Sequence, residues 1–319
     1  MMLLVGGMAF AQSKFQERMD SVLRTRYAKV SYDTLYIKRP DAKLTLKFRG
    51  NLSGNSIRVK QTKDEQVRAK LSTDLRATAS VAATYYGITA GVAINPAQFS
   101  GKKYKDWELN LNAYFNRFGL EVGYQYAKTL SGDISDIEGS YHLDKGLVRL
   151  SNIYVTGYYA FNHRRFSYPA AFTQSYIQKK SAGSWLVGFS YQGGSIKTTG
   201  KATEIYGEDA KARLYVGNFA IGGGYGYNLV AKKWLFHLST QPNIIIFNSN
   251  STTVNGEKTS ESLHFPEMII NSRAAILYNI SPKYFVGSTV LVNTSLLGDT
   301  DAYTRQVKWR ARAFFGMRL

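Results

Sequence analysis

The stretch Val307-Lys-Trp-Arg-Ala-Arg-Ala-Phe-Phe-Gly-Met-Arg-Leu319 decides the fold. Read at period two, one side carries Val307, Trp309, Ala311, Ala313, Phe315, Met317 and Leu319, without a charge. The other side carries Lys308, Arg310, Arg312, Phe314, Gly316 and Arg318. Successive side chains of a strand point to opposite faces, so this is a strand with one apolar wall and one cationic wall. Soluble domains seldom end on such a strand. A membrane barrel does, with the apolar wall toward lipid and the polar wall toward the lumen.

The same alternation recurs upstream. Leu44, Leu46 and Phe48 interleave with Thr45, Lys47 and Arg49, and Leu75, Ala77, Ala79, Val81, Ala83 and Tyr85 with a more polar set. Trp107, Leu109, Leu111, Ala113 and Phe115 oppose Glu108, Asn110, Asn112, Tyr114 and Asn116. Leu120, Val122, Tyr124 and Tyr126 oppose Glu121, Gly123, Gln125 and Ala127, and Trp185, Val187, Phe189 and Tyr191 form a further outward row. Less regular segments lie near 88–94, 147–161, 214–229, 233–247, 267–280 and 284–296; in 147–161 and 284–296 the outward face is undecided. The Gly-rich run Ile221–Tyr227 lacks the Lys-Ser/Thr of a phosphate loop and reads as a curved strand. The sum is an all-β, antiparallel transmembrane barrel of about twelve strands, each of about 9–12 residues.

Connection lengths point the same way. Short links fall at Tyr86-Gly87, 116–119, 230–233 and 279–283, and long polar links near 56–73, 95–105, 130–146, 192–213, 248–265 and 297–305. Alternating short and long links are the pattern of periplasmic turns and outer loops. The stretch 162–183 breaks it, being a long connection where a short turn belongs. Ahead of the barrel, which spans 44–319, residues 1–11 read as a signal peptide with Ala9-Phe10-Ala11 as its cleavage pattern. No Lys or Arg precedes that apolar core, which points to a start codon further upstream. Residues 12–43 are polar and read as a periplasmic lead-in or plug.

Composition narrows the function. The 319 residues carry a net charge of +19, 14% aromatics and no cysteine, which excludes disulfides and thiolate metal sites. The aromatics share the apolar parity with Leu and Val, as lipid-facing rows do, which argues against nucleic acid as a partner. A cationic lumen favours anions instead.

The exceptional connection reads Phe161-Asn-His-Arg-Arg-Phe-Ser-Tyr-Pro-Ala-Ala-Phe-Thr-Gln-Ser-Tyr-Ile-Gln-Lys-Lys-Ser-Ala-Gly-Ser184, a segment suited to folding into the lumen or covering its mouth. Arg164, Arg165, Tyr168, Lys179 and Lys180 are its candidates for holding a carboxylate or a lipid phosphate, since guanidinium donors are planar and bidentate. Lys308, Arg310 and Arg312 complete the candidate set on the last strand. The structural alternative weighs more: inward arginines pairing with Glu108, Glu121 or another inward acid. Catalytic and metal residues are not assigned, and no cofactor is expected. His142, His163, His237 and His264 stand apart, and His163 near Ser167 is the lone hint of a hydrolase. Asp133, Asp136 and Glu138 read as a solvated loop before a cation site.

Tyr32–Ile37, Leu44–Gly50 and above all Arg165–Phe172 with Gln178–Ser184 resemble a Bacteroidetes family known as a domain of unknown function, DUF4421. The resemblance implies an outer-membrane setting and carries no activity or catalytic residues. The expectation is therefore a monomeric outer-membrane barrel of a Gram-negative bacterium. Lipid and lipopolysaccharide would lie against its wall, and the barrel-assembly machinery would insert it, although Leu319 stands where an aromatic usually ends such strands. Its role is a narrow, anion-favouring passage or a barrel binding a small anionic solute or lipid. The alternatives are a lipid- or lipopolysaccharide-modifying enzyme and an attachment barrel.

Overall fold

The computed structural model describes residues 21, 31–42, 44–61, 66–85, 88–94, 104, 106–137, 139–207, 211–298 and 301–319. The signal-peptide reading, Glu138 and most of the lead-in lie outside them. The first strands are β1 (Ile37–Lys38), β2 (Leu44–Gln61), β3 (Arg68–Ser72), β4 (Arg76–Tyr85), β5 (Ile88–Ile94), β6 (Trp107–Tyr114), β7 (Phe118–Ala127), β8 (Ser131–Ser135), β9 (Ser140–Leu143) and β10 (Val148–Ala160). A short helix α1 (Tyr168–Phe172) precedes β11 (Ile177–Gln178) and β12 (Ala182–Thr198), and α2 (Gly200–Tyr206) precedes β13 (Ala212–Ala231). The chain closes with β14 (Trp234–Asn248), β15 (Asn250–Val254), β16 (Glu257–Glu261), β17 (Met268–Asn279), β18 (Tyr284–Gly298) and β19 (Ala302–Arg318).

All pairings are antiparallel. From β6 the sheet runs through β7, β10, β12, β13, β14, β17, β18 and β19 to β2, then to β4 and β5. β5 is the neighbour of β6 in the sheet order, so the sheet curls back on itself. With β3 and β4 counted as one stave broken at residues 73–75, the ring has twelve staves among the described residues. Closing the sheet removes the open edges that a bilayer cannot solvate.

The two faces divide as the alternation requires. On β19, Lys308, Arg310, Phe314, Gly316 and Arg318 are buried while Ala313 and Phe315 are exposed. Trp107, Leu109 and Leu111 face outward, as do Trp185, Val187 and Phe189. The two undecided segments resolve with apolar residues on both sides. On β10, Tyr154 and Tyr158 point inward and Ile153 and Tyr159 outward; on β18, Phe285 and Leu291 point inward and Val286 and Val290 outward. Their inward rings meet structure inside the lumen, and this erases the simple polar-in signal.

The connections differ from the sequence expectation in one respect. Much of the long polar links is paired strand: β2 continues to Gln61, β13 runs for 20 residues, and β8–β9 and β15–β16 are hairpins. The link expected at 297–305 is mostly strand, since β18 reaches Gly298 and β19 starts at Ala302. Polar strands gain nothing from stopping at the apolar band, because they still complete each other's backbone hydrogen bonds in water. At this long-hairpin end β3 pairs directly with β8, bypassing β5 and β6, over a cluster of Ile57, Leu130 and Val148.

At the short-turn end, residues 161–183 fold into the lumen. Ser167 caps α1 by accepting from the Ala170 N–H at 3.2 Å, and Pro169 occupies the first turn, where its missing N–H costs nothing. β11 pairs with β1, so the pre-barrel segment and the mid-chain segment form one plug. Phe166, Tyr168, Ala170 and Ala171 are fully buried, packed on Tyr158 and Leu186 to one side and on Leu235, Leu277 and Phe285 to the other. Gly226 makes room for this body: a Cβ there would stand 3.0 Å from the Phe166 ring. Gly226→Val should therefore lower stability by about 1–3 kcal/mol through overpacking. Gly50→Ala, with nothing within 4 Å, should leave it nearly unchanged. Thermal melts in detergent compare the two, and equal losses would show that the plug does not bear on Gly226.

Candidate functional site

The lumen holds two polar assemblies, one above the other. In the upper one, Glu108 on β6 receives Arg310 at 2.8 Å and Ser53 Oγ at 3.1 Å, with Lys308 at 3.4 Å and Arg76 at 3.9 Å. Arg310 also donates to Asn110 and, at 2.8 Å, to the Tyr154 hydroxyl, while Lys308 sits 4.2 Å from the Tyr154 ring centroid. These contacts cross from β19 to β6 and β10, strands that are not neighbours in the sheet. In the lower assembly, Arg273 on β17 donates to Glu121 on β7 at 2.7 Å, and the Tyr114 hydroxyl donates to the same carboxylate at 2.7 Å. Arg273 and Glu121 are each 2% exposed. Charges this deep are retained only when paired and hydrogen-bonded.

Below these lies the plug and its lock. Lys47 on β2 donates to the Thr173 carbonyl at 2.7 Å and to Gln174 Oε1 at 3.0 Å, placing a cation where α1 ends and carbonyls lack partners. Asn228 donates to the Ser167 carbonyl and to Gln178 Oε1, both at 3.0 Å, and pairs through its Oδ1 with His237 Nδ1 at 2.7 Å. His237 Nε2 lies 3.0 Å from Ser239 Oγ, and its ring packs against Phe166, Tyr168 and Phe172.

The eight candidate residues do not converge on one site. Arg165 lies 3.4 Å from Asp33 and stacks over Tyr36 at 5.0 Å; Lys180 lies over the same ring at 5.8 Å, and Lys179 donates to the Thr34 carbonyl at 3.0 Å. These cations fasten the pre-barrel segment at the mouth. Arg164 is exposed beside them, and Tyr168 is buried in the aromatic box below Arg273. Lys308 and Arg310 share Glu108, as the structural alternative required. Arg312 faces inward on β19, as Arg49 does on the neighbouring β2, and neither has an ion pair or hydrogen bond among the described residues. Lys47, Arg49, Arg312 and Arg318 thus share a lumen wall without a carboxylate partner among those residues.

The hydrolase and cation readings gain no geometry. His163 Nδ1 contacts the Ala160 carbonyl at 3.2 Å, while Ser167 is spent on capping α1. Asp133 pairs with His142 at 2.7 Å on the exposed β8–β9 hairpin, and Asp136 accepts from Tyr141. Sequence reasoning missed the Lys47 cap and the Asn228–His237 lock. Both residues of the lock lie in segments of irregular alternation, 214–229 and 233–247, with no spacing to join them.

Arg273→Met strands Glu121 in the barrel interior and should cost about 3–5 kcal/mol, whereas adding Glu121→Gln should restore most of that loss. Urea unfolding from vesicles, followed by tryptophan fluorescence, measures both. Equal losses in the single and double variants would mean that the two groups are not energetically coupled.

Comparison with known proteins adds a family and a set of distant folds. The outer-membrane protease OmpT from Escherichia coli is 7% identical, with 92% of this chain and 100% of that chain covered at a TM-score of 0.47. The translocator domain of the autotransporter NalP from Neisseria meningitidis is 9% identical over 98% and 97%, at 0.33. The attachment invasion locus protein Ail of Yersinia pestis is 7% identical over 85% and 99%, at 0.25. No curated protein matches the sequence. With its barrel and most of its plug inside the matched residues 31–318, the chain belongs to the family described as a domain of unknown function, DUF4421.

Proposed function

We propose that this chain is an outer-membrane barrel, closed to bulk ion flow, that binds a small anionic ligand from its periplasmic side. The observation that carries this reading is the filled lumen: ion pairs bridge it at Glu108 and Glu121, and the plug occupies its short-turn end. Of the cationic wall that would set the selectivity of a passage, those carboxylates meet Arg76, Arg273, Lys308 and Arg310. Lys47, Arg49, Arg312 and Arg318 have no carboxylate partner among the described residues, and of these Arg49 and Arg312 have no hydrogen bond there either; unpaired guanidinium groups in a confined wall attract an anion. The apolar outer band, with Trp107, Trp185 and Trp234 exposed on it, suits a bilayer of lipid and lipopolysaccharide. Short turns at the plugged end support a periplasmic position for it in this reading, by the usual outer-membrane arrangement, and the reading takes the chain as a monomer.

Planar-bilayer recording of the refolded chain under a salt gradient tests the closure. Insertion without steady conductance is the expected result. A stable, anion-preferring conductance that weakens in Arg312→Gln would replace the closed barrel with a passage. The ligand part has its own readout: phosphate should raise the melting temperature above that in chloride at equal ionic strength, and Arg49→Gln with Arg312→Gln should abolish the difference. No difference in the unaltered chain would remove this part of the reading.

A further inference from the structure

A cavity of about 530 Å³ opens at the plugged end, between the plug and the barrel wall. This size lies within the usual range for small-molecule sites. Its interior is apolar, with Ala170 and Ile177 from the plug facing Val230, Leu235 and Leu277 from β13, β14 and β17. Its rim is cationic, with Lys38, Lys179, Lys232, Lys233 and Arg318, and among the described residues no Asp or Glu lines it. Lys38 contacts Asp41 at 3.7 Å, an exposed pair of little strength.

Arg318 is the built part of this rim. It is 4% exposed, its guanidinium stacks over Phe285 at 4.5 Å, and its terminal nitrogens donate to the Pro282 carbonyl at 3.2 Å and Asn279 Oδ1 at 3.0 Å. Its Nε has no hydrogen-bond partner among the described residues. Lys233 is held by the Ile280 carbonyl at 3.0 Å and Lys179 by that of Thr34. Carbonyl oxygens orient these cations without neutralising them, and a fixed cation facing a confined space is a site for an anion. An apolar floor under a cationic rim matches an anion that carries an apolar body.

We infer that this cavity binds an amphiphile with a phosphate or carboxylate head, the head against Arg318, Lys179 and Lys233 and the apolar body against Leu235 and Leu277. This rests on the closed, periplasm-facing barrel proposed above and gives it a ligand class at a place distinct from Arg49 and Arg312. Two sources share this chemistry: a soluble amphiphilic anion in the periplasm, and the head of a phospholipid in the facing leaflet. Trp234 lines the cavity and is also 42% exposed on the outer wall, so the rim reaches the bilayer edge.

The test uses the full chain in neutral detergent, titrated calorimetrically with hexyl phosphate and with inorganic phosphate. Hexyl phosphate should bind one per chain and about tenfold or more tighter than inorganic phosphate. Lys179→Gln with Lys233→Gln, both surface changes, should weaken it by about tenfold or more. Leu277→Trp, which fills the floor, should remove the preference for hexyl phosphate. Repeating the titration in phosphatidylcholine vesicles with and without phosphatidylglycerol separates the sources: competition by phosphatidylglycerol identifies a lipid head, and unchanged affinity a soluble anion. Equal affinity for the two phosphates, or an unaffected lysine variant, would overturn the inference. A chain that conducts in planar bilayers yet binds hexyl phosphate fails the closure alone; a closed chain that binds no hexyl phosphate fails this inference alone.

Discussion

The contact between Arg273 and Glu121 is the constraint on which the interior depends. Both groups have left water, and a guanidinium and a carboxylate do so at a cost that only their mutual contact offsets. They come from β17 and β7, on different sides of the ring, so their pairing fixes how the two walls face each other. Glu121 also holds the Tyr114 hydroxyl, and the Tyr114 ring stacks on Phe172 at 5.3 Å. Arg273 lies 5.5 Å from the Tyr158 ring, whose other neighbour is Tyr168 at 4.3 Å. The ion pair is therefore the roof under which the aromatic face of the plug is arranged. Shifting either charge disturbs both the wall and its contents.

Much of the barrel was legible in the chain because the physics of a bilayer is severe. Lipid tolerates almost no charge on one face of each strand, and water and protein accept it on the other, so parity alone located Trp107, Trp185 and Lys308 on their proper sides. The alternation of link lengths separated the two ends for a similar reason. Legibility failed where that severity relaxes. In β10 and β18 the inner face touches protein rather than water, and Tyr158 and Phe285 are as apolar as their lipid-facing neighbours. Beyond the bilayer, polar strands such as those of β15 and β16 look like loop, because their pairing leaves no hydrophobic trace.

The site was legible in its residue types and not in its partnerships. The excess of cations announced an anion or an internal acid, and for Lys308, Arg310 and Arg273 the acid is internal. Glu108 and Glu121 could be marked as inward, yet nothing in a linear chain states which inward cation each will meet. The misplaced connection at 162–183 was the better signal, since its length broke a rule that depends on geometry alone. What it could not reveal is that Arg165, Lys179 and Lys180 bind the chain's own residues 33–36 first. A cation that grips a neighbouring segment serves recognition only through the surface it leaves behind, and here that surface is the rim holding Lys179.

The joint between β2 and β19 has a consequence for the order of events. These strands come from opposite ends of the barrel sequence, pair from Gln61 with Ala302 to Thr45 with Arg318, and are tied at Leu44 and Leu319 by reciprocal backbone hydrogen bonds. Contacts of such long sequence separation form late, because the loop entropy they require must be met first. The plug is encoded mid-chain and is gripped by Lys47 from one side of that same joint. The wall is thus sealed around its contents rather than filled afterwards. Once the last strand has zipped to the first strand of the barrel, the plug is held between them and the rest of the wall.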